Sequence, residues 1–300
     1  MMRRSPLGLL VLTLLVSLSA LGPAAAAAAK KPKPAREQRR PATAPAADSV
    51  TLALWRFDET IGLRAADSGP FRLHATAAPD TRPDFGRHKN ARLFQDVLQS
   101  FVVVPYNPVM NTSRRFTIEA WVYVNAVSNY ELQTIAARWS PLPTERSWVL
   151  GVGGLDRSYP AVPSNSPGWF DGLASPSAPM RLVFGFRSEE AAGTQGYVSA
   201  GELPLQRWVH VAASVDGEVV RLWVDGRLDG QFATTLGIRS SEAPLTIGST
   251  LDPHRLTDFG GDLRLDSIAL AKLYYQLDGL VDEVRLSNAP RTQFDSLPNR

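Results

Sequence analysis

The chain has 300 residues and no cysteine. That absence excludes disulfides, a thiol nucleophile, cysteine-bound zinc and lipidation of a leader peptide. A secreted eukaryotic domain of this size usually carries disulfides, so export without them suggests a bacterial chain. Its core must be large, with or without help from a metal. Histidine is scarce too: His74, His88, His210 and His254 show no pair at ligand spacing. His210 alternates with Trp208 and Ala212, which reads as a packed or hydrogen-bonded structural residue. There is no glycine-rich phosphate loop before a helix and no Gly-x-Ser-x-Gly elbow. No stretch of helical period with caps stands out, and after the first residues no apolar run could span a membrane as a helix.

The first residues read as a secretion signal, residues 1–29. Arg3 and Arg4 form a basic start, Leu7 to Leu21 is apolar, and Ala24 to Ala29 offers small-x-small cleavage sites. An uncleaved anchor is the alternative. Residues 30–49 follow as a Lys/Pro/Ala-rich linker, expected to be disordered, which could also touch envelope polymers as a basic arm. Six lysines and arginines fall in this linker, so the net charge of +3 belongs to the two N-terminal segments and residues 50–300 are net acidic. The high isoelectric point is therefore no argument for nucleic-acid binding.

From residue 50 onward the pattern is strands and turns. Asp216-Gly217 and Asp225-Gly226 flank the run Glu218 to Val224, and Trp208 to Val215 precedes it. Asp-Gly between alternating apolar runs marks hairpin turns with positive φ at both central residues. Phe116, Ile118, Ala120, Val122 and Val124 share one strand face, with Thr117, Glu119, Trp121 and Tyr123 on the other. Strands are further expected at 50–57 and 101–104, near 133–138, 147–152, 180–187, 196–200 and 244–248, and over 262–274 and 280–286. Residues 156–179 break this rhythm with a Ser/Pro/Gly-rich loop that carries Tyr159, Trp169, Phe170 and Asp171.

Four phrases in order resemble the laminin-G-like fold of the concanavalin A-like lectin/glucanase superfamily. They are Leu54-Trp55-Arg56-Phe57-Asp58-Glu59 with Ala66-Asp67-Ser68-Gly69, then Phe116 to Val122, the Trp208–Gly226 hairpin, and Gly279 to Ser287. The resemblance implies an all-β domain over residues 50–300, a jelly-roll sandwich of two antiparallel sheets, with first and last strands close together. It also implies an exported module that binds glycans or proteins, and often a structural calcium where those strands meet. The matching positions here are Asp282 and Asp58. The alternative for Asp282 is a pair with Arg285 or a turn cap, and Asp67 reads as a turn former.

Relatives that hydrolyse β-glucans carry acids spaced E-x-D-x-x-E or E-x-D-x-E on one strand, which puts the carboxylates on one face. That spacing does not occur here, and Asp282 and Glu283, adjacent in a strand, are expected to face opposite ways. The sequence therefore reads as a non-catalytic, secreted binding module with a glycan or a cell-surface protein as partner. Tyr159, Trp169 and Asp171 are its candidate contacts, because a solvent-facing ring can lie against a sugar. The strand tryptophans Trp55, Trp121, Trp208 and Trp223 are expected to pack, and Trp139 and Trp148 are left open. A structural envelope or matrix component is the alternative function, with a hydrolase using acids gathered by the fold as the third.

Overall fold

The computed structural model of the protein describes residues 45–294 except 97, 129–131, 141–142, 156–178, 252–256, 260–261 and 265–272. The leader, most of the linker and the candidate contacts Tyr159, Trp169 and Asp171 lie outside the described residues. The strands in chain order begin with β1 (Thr51–Trp55), β2 (Arg64–Ala65), β3 (Ala75–Ala77), β4 (Arg82–Phe85), β5 (Asn90–Phe94) and β6 (Val102–Val104). Next come β7 (Phe116–Val124), β8 (Leu132–Arg138), β9 (Trp148–Gly153), β10 (Arg181–Arg187), β11 (Thr194–Glu202) and β12 (Trp208–Val215). They continue with β13 (Val219–Val224), β14 (Arg227–Ala233), β15 (Leu245–Ile247), β16 (Thr250–Leu251), β17 (Thr257–Phe259), β18 (Asp262–Arg264), β19 (Leu273–Tyr274) and β20 (Gly279–Ser287). Helix among the described residues is limited to 3₁₀ turns at Pro108–Met110 and Pro143–Glu145.

Sixteen of these strands form two antiparallel eight-stranded sheets, and β16 with β19 and β17 with β18 form two-stranded ones. The first runs β14-β13-β12-β7-β20-β5-β4, with β1 also on β20, and the second runs β11-β10-β9-β8-β15-β6-β3-β2. The chain is therefore an all-β jelly-roll sandwich. The period-2 pattern of β7 decides how it packs: Phe116, Ile118, Ala120, Val122 and Val124 enter the main core. Leu150, Val152, Leu182, Phe184 and Phe186 of the second sheet meet them there. Phe116 sits 5.1 Å from Trp148 and 6.0 Å from Phe184, centroid to centroid. Trp139 and Trp148, undecided in the sequence, are both buried.

Two expectations need correction. Asp225 and Gly226 both have positive φ and join β13 to β14 as a two-residue turn, but at the first Asp-Gly only Gly217 does. There the connection is longer, since Val215 pairs with Val220. Asp216 organises it by accepting from the backbone N–H of Glu218 and Val219 through its carboxylate, a side-chain turn that needs no left-handed aspartate. The strand expected over 262–274 is also not continuous: its described parts are the short β18 and β19, which pair with different partners.

Candidate functional site

The first and last strands meet as the resemblance implied, and a partner exchange at β20 makes the site. The start of β20 pairs with β5 (Val281 opposite Arg92), and its end pairs with β1 (Val284 opposite Trp55). Between these two pairings its register with β7 shifts, from Asp282 to Arg285, and Glu283 takes φ 50°. A bulge leaves one residue out of the ladder and re-aims side chains. Strict alternation would have turned Asp282 and Glu283 to opposite faces. Instead the Asp282 carboxylate senses the Glu283 charge, and both sense Asp58, just past β1.

The β4–β5 turn closes over this point. His88 donates its backbone N–H to Asp282 Oδ2 at 2.9 Å. A side chain on Gly86 would place its Cβ 2.7 Å from that same oxygen, so the turn can come this close only with glycine. Lys89 Nζ lies 2.8 Å from Asp58 Oδ2, and Arg56 reaches Glu283 Oε1 at 3.5 Å. Asp58 Oδ1, Asp282 Oδ1 and both Glu283 oxygens are buried without a hydrogen bond among the described residues. Burial pushes the Asp282 carboxyl up to about 8, with the neighbouring Glu283 and Asp58 charges adding to it against the His88 N–H. Burial likewise lifts Glu283 to about 7, Arg56 opposing and Asp58 assisting. Buried anionic oxygens without partners are costly, and either a proton or a cation relieves that cost.

The donor chemistry fits calcium, which takes six to eight hard oxygens, backbone carbonyls included. Asp58, Asp282 and Glu283 would hold it. No group of three ligating side chains converges tightly enough to grip an ion among the described residues, so carbonyl oxygens would have to complete the shell. The alternative pairing of Asp282 with Arg285 is overturned: Arg285 Nε donates to Glu119 Oε1 instead. Asp67 is a turn former, since its carboxylate accepts from the N–H groups of Leu54, Gly69 and Leu73.

A second cluster covers the outward face of the first sheet, and sequence reasoning missed its centre, Glu119. His210 Nε2 lies 3.0 Å from Glu119 Oε2, and Arg291 Nε is 3.8 Å from Oε1. Burial alone would raise the Glu119 carboxyl. The hydrogen bond and charge of His210, with Arg285 behind them, outweigh it and hold the group below the usual glutamate value. Rings line the same face: Arg87 lies 4.7 Å over Trp121, whose ring is 5.4 Å from His210. The cross-strand neighbours Trp121 and His210 are paired in the ladder, as are Ala212 and Trp223. His210 is thus a hydrogen-bonded structural histidine; Trp55, Trp121 and Trp223 are buried, and Trp208 is half-buried against Tyr123. An acid alternating with tryptophan on one strand, beside a Trp-x-His strand, was the available signal for Glu119.

Residues 98–295 match a laminin-G family model of the concanavalin A-like lectin/glucanases superfamily. The match spans about two thirds of the sequence, and the chain belongs to this family. No curated protein matches it significantly. Among solved structures it is similar to domain 4 of an extracellular GH43 arabinanase from Geobacillus stearothermophilus, in complex with arabinotriose. Identity is 15%, coverage 80% of this chain and 93% of that one, and the TM-score 0.50. It is also similar to the binding domain of Paraclostridial Mosquitocidal Protein 1, at 11% identity, 82% and 50% coverage and TM-score 0.52. The binding domain of botulinum neurotoxin DC in complex with SialylT gives 14%, 83%, 49% and 0.52. The chain spans about half the length of these two toxin domains. At such identities the likeness is one of fold.

Proposed function

We propose that this protein is an exported, non-catalytic recognition module for a glycan at the cell surface or outside the cell. The observation that carries the reading is the correspondence, over nearly all of that domain's length, with an arabinanase domain in complex with arabinotriose. A toxin binding domain of the same fold in complex with SialylT supports the same ligand class. The segment 156–178 supplies contacts through Tyr159, Trp169 and Asp171, with an aromatic ring against the apolar face of a sugar.

The positions of the acids favour binding over cleavage. A glycoside hydrolase needs two carboxylates that reach opposite sides of one glycosidic bond. Asp282 and Glu283 are buried under the β4–β5 turn, away from a solvent-borne polymer. Glu119 is committed to His210 and Arg285. Calcium at Asp58, Asp282 and Glu283 serves stability in this reading, locking β20 to the turn that follows β1.

The test is affinity electrophoresis of the purified protein in gels containing a β-glucan, a xylan, an arabinan or a mannan. Retardation by one polymer class, lost in Trp169→Ala or Tyr159→Ala with the melting temperature unchanged, is the expected result. Release of reducing ends from any of these polymers would overturn the non-catalytic reading.

A further inference from the structure

Ala212 is a gap in the outward face of the first sheet. Its ladder neighbours there are Glu119 on β7 and Trp223 on β13, and His210 lies two residues back on the same face. Large side chains around an alanine leave a depression with a methyl floor and room for a ring. The chain fills it itself. Phe294, beyond the end of β20, buries against Ala212 and Trp223. Its ring centroid is 4.9 Å from that of His210 and 5.6 Å from that of Trp223.

Two features set this contact apart from ordinary core packing. The first is what the phenyl ring leaves unsatisfied. His210 spends Nε2 on Glu119, while His210 Nδ1 and the adjacent Trp121 Nε1 are buried with no hydrogen-bond partner among the described residues. A hydrocarbon ring cannot meet either group, whereas a ring bearing hydroxyls can. The second is how the end of the chain is fastened. Thr117 Oγ1 donates to the Ala289 carbonyl and accepts from the Arg291 N–H. The Arg291 guanidinium donates to Ser287 Oγ and Asp48 Oδ1. The hydrogen bonds of this strap to described residues end at Arg291, and Phe294 is held by ring contacts.

We propose that the depression over Ala212 is a pyranose subsite and that Phe294 is a displaceable plug which fills it when no glycan is bound. This rests on the glycan reading above and adds a second place of contact to segment 156–178. Trp223 supplies the surface for the apolar face of the sugar, and His210 Nδ1 and Trp121 Nε1 supply partners for its hydroxyls. A plugged subsite binds with an apparent affinity reduced by the fraction of molecules in which it is open, so removing the plug strengthens binding.

The experiment compares the full chain with Phe294→Ala, the milder Phe294→Leu, Trp223→Ala and the Phe294→Ala/Trp223→Ala double variant. Affinity electrophoresis uses a β-glucan, a xylan, an arabinan and a mannan, and near-UV circular dichroism confirms each fold. Phe294→Ala is expected to bind at least one polymer tenfold or more tightly than the parent, with Phe294→Leu between them. Adding Trp223→Ala should remove the gain. Should Phe294→Ala not fold, an unchanged affinity in folded Phe294→Leu overturns the plug. Equal binding by parent and both Phe294 variants, with Trp169→Ala abolishing it, overturns the subsite and leaves the glycan reading standing. If no polymer retards any folded variant, both fail. Capture of aromatic peptides and no polysaccharide by Phe294→Ala overturns the sugar subsite in favour of a protein ligand.

Discussion

Asp282 and Glu283 are the residues through which a response to pH and to the proposed calcium is expected. An acid whose pKa is higher in the folded chain keeps its proton longer there than in the unfolded chain. Without a metal, stability should therefore fall as pH rises from the ordinary aspartate value of 3.8 towards about 8. The proposed calcium would bind the ionised carboxylates, so its stabilisation should grow over the same range, reaching about 2.7 kcal/mol at a hundred times its Kd. Thermal melts in EDTA and in calcium at pH 5 and pH 8 check this. Asp282→Asn should flatten both effects, and melts indifferent to EDTA at pH 8 would sink the metal. Glu119 has the opposite sign: its folded pKa is depressed, so its stabilisation is present above 4.5 and is lost as pH falls through the lower folded value. Glu119→Gln leaves Arg285 and His210 facing a neutral amide and should cost about 3–5 kcal/mol, read as a lowered midpoint in urea. A change under 1 kcal/mol would contradict a buried ion pair there.

Among the elements, β20 was the most legible and also the most misleading. The strand expected over 280–286 put Asp282 and Glu283 on opposite faces, and its pairing with β1 follows the resemblance. The bulge at Asp282–Glu283 was not legible, because it arises from the exchange of β5 for β1 along one edge. Nothing in nine consecutive residues records that exchange. The β13–β14 hairpin was readable because its turn is local: Gly226 has φ 71° and Asp225 φ 47°. Gly226→Val should cost about 1–3 kcal/mol through strain at positive φ, measured by chemical denaturation. A loss well under that would mean that the turn relaxes to another type. The strands β2 to β5 escaped sequence reading because they are short and carry Arg, Pro, Asp and Asn. Pro83 and the exposed residues of β4 belong at a sheet edge, where a missing N–H and polar side chains discourage further pairing.

At the scale of the whole molecule, three arginines gather the start and end of the described chain on the first sheet. Arg56 donates to the Pro45 carbonyl, Arg285 to the Ala46 carbonyl and Arg291 to Asp48. The sequence suggested adjacent terminal strands through four phrases of a family pattern. It did not suggest that the segments flanking β1 and β20 would cover Glu119 and the ring-lined face, since that depends on contacts between residues more than 200 positions apart. The candidate metal acids Asp58 and Asp282 were legible because they sit in family phrases, whereas Glu283 and Phe294 gain their roles only from three-dimensional neighbours. The central claim is that the sandwich recognises a glycan without cutting it, and affinity electrophoresis of the purified protein in calcium tests it most directly. The account predicts retardation by at least one polysaccharide class, with the polymer recovered at its original length. Free migration through all four gels, or a shortened polymer, would contradict it.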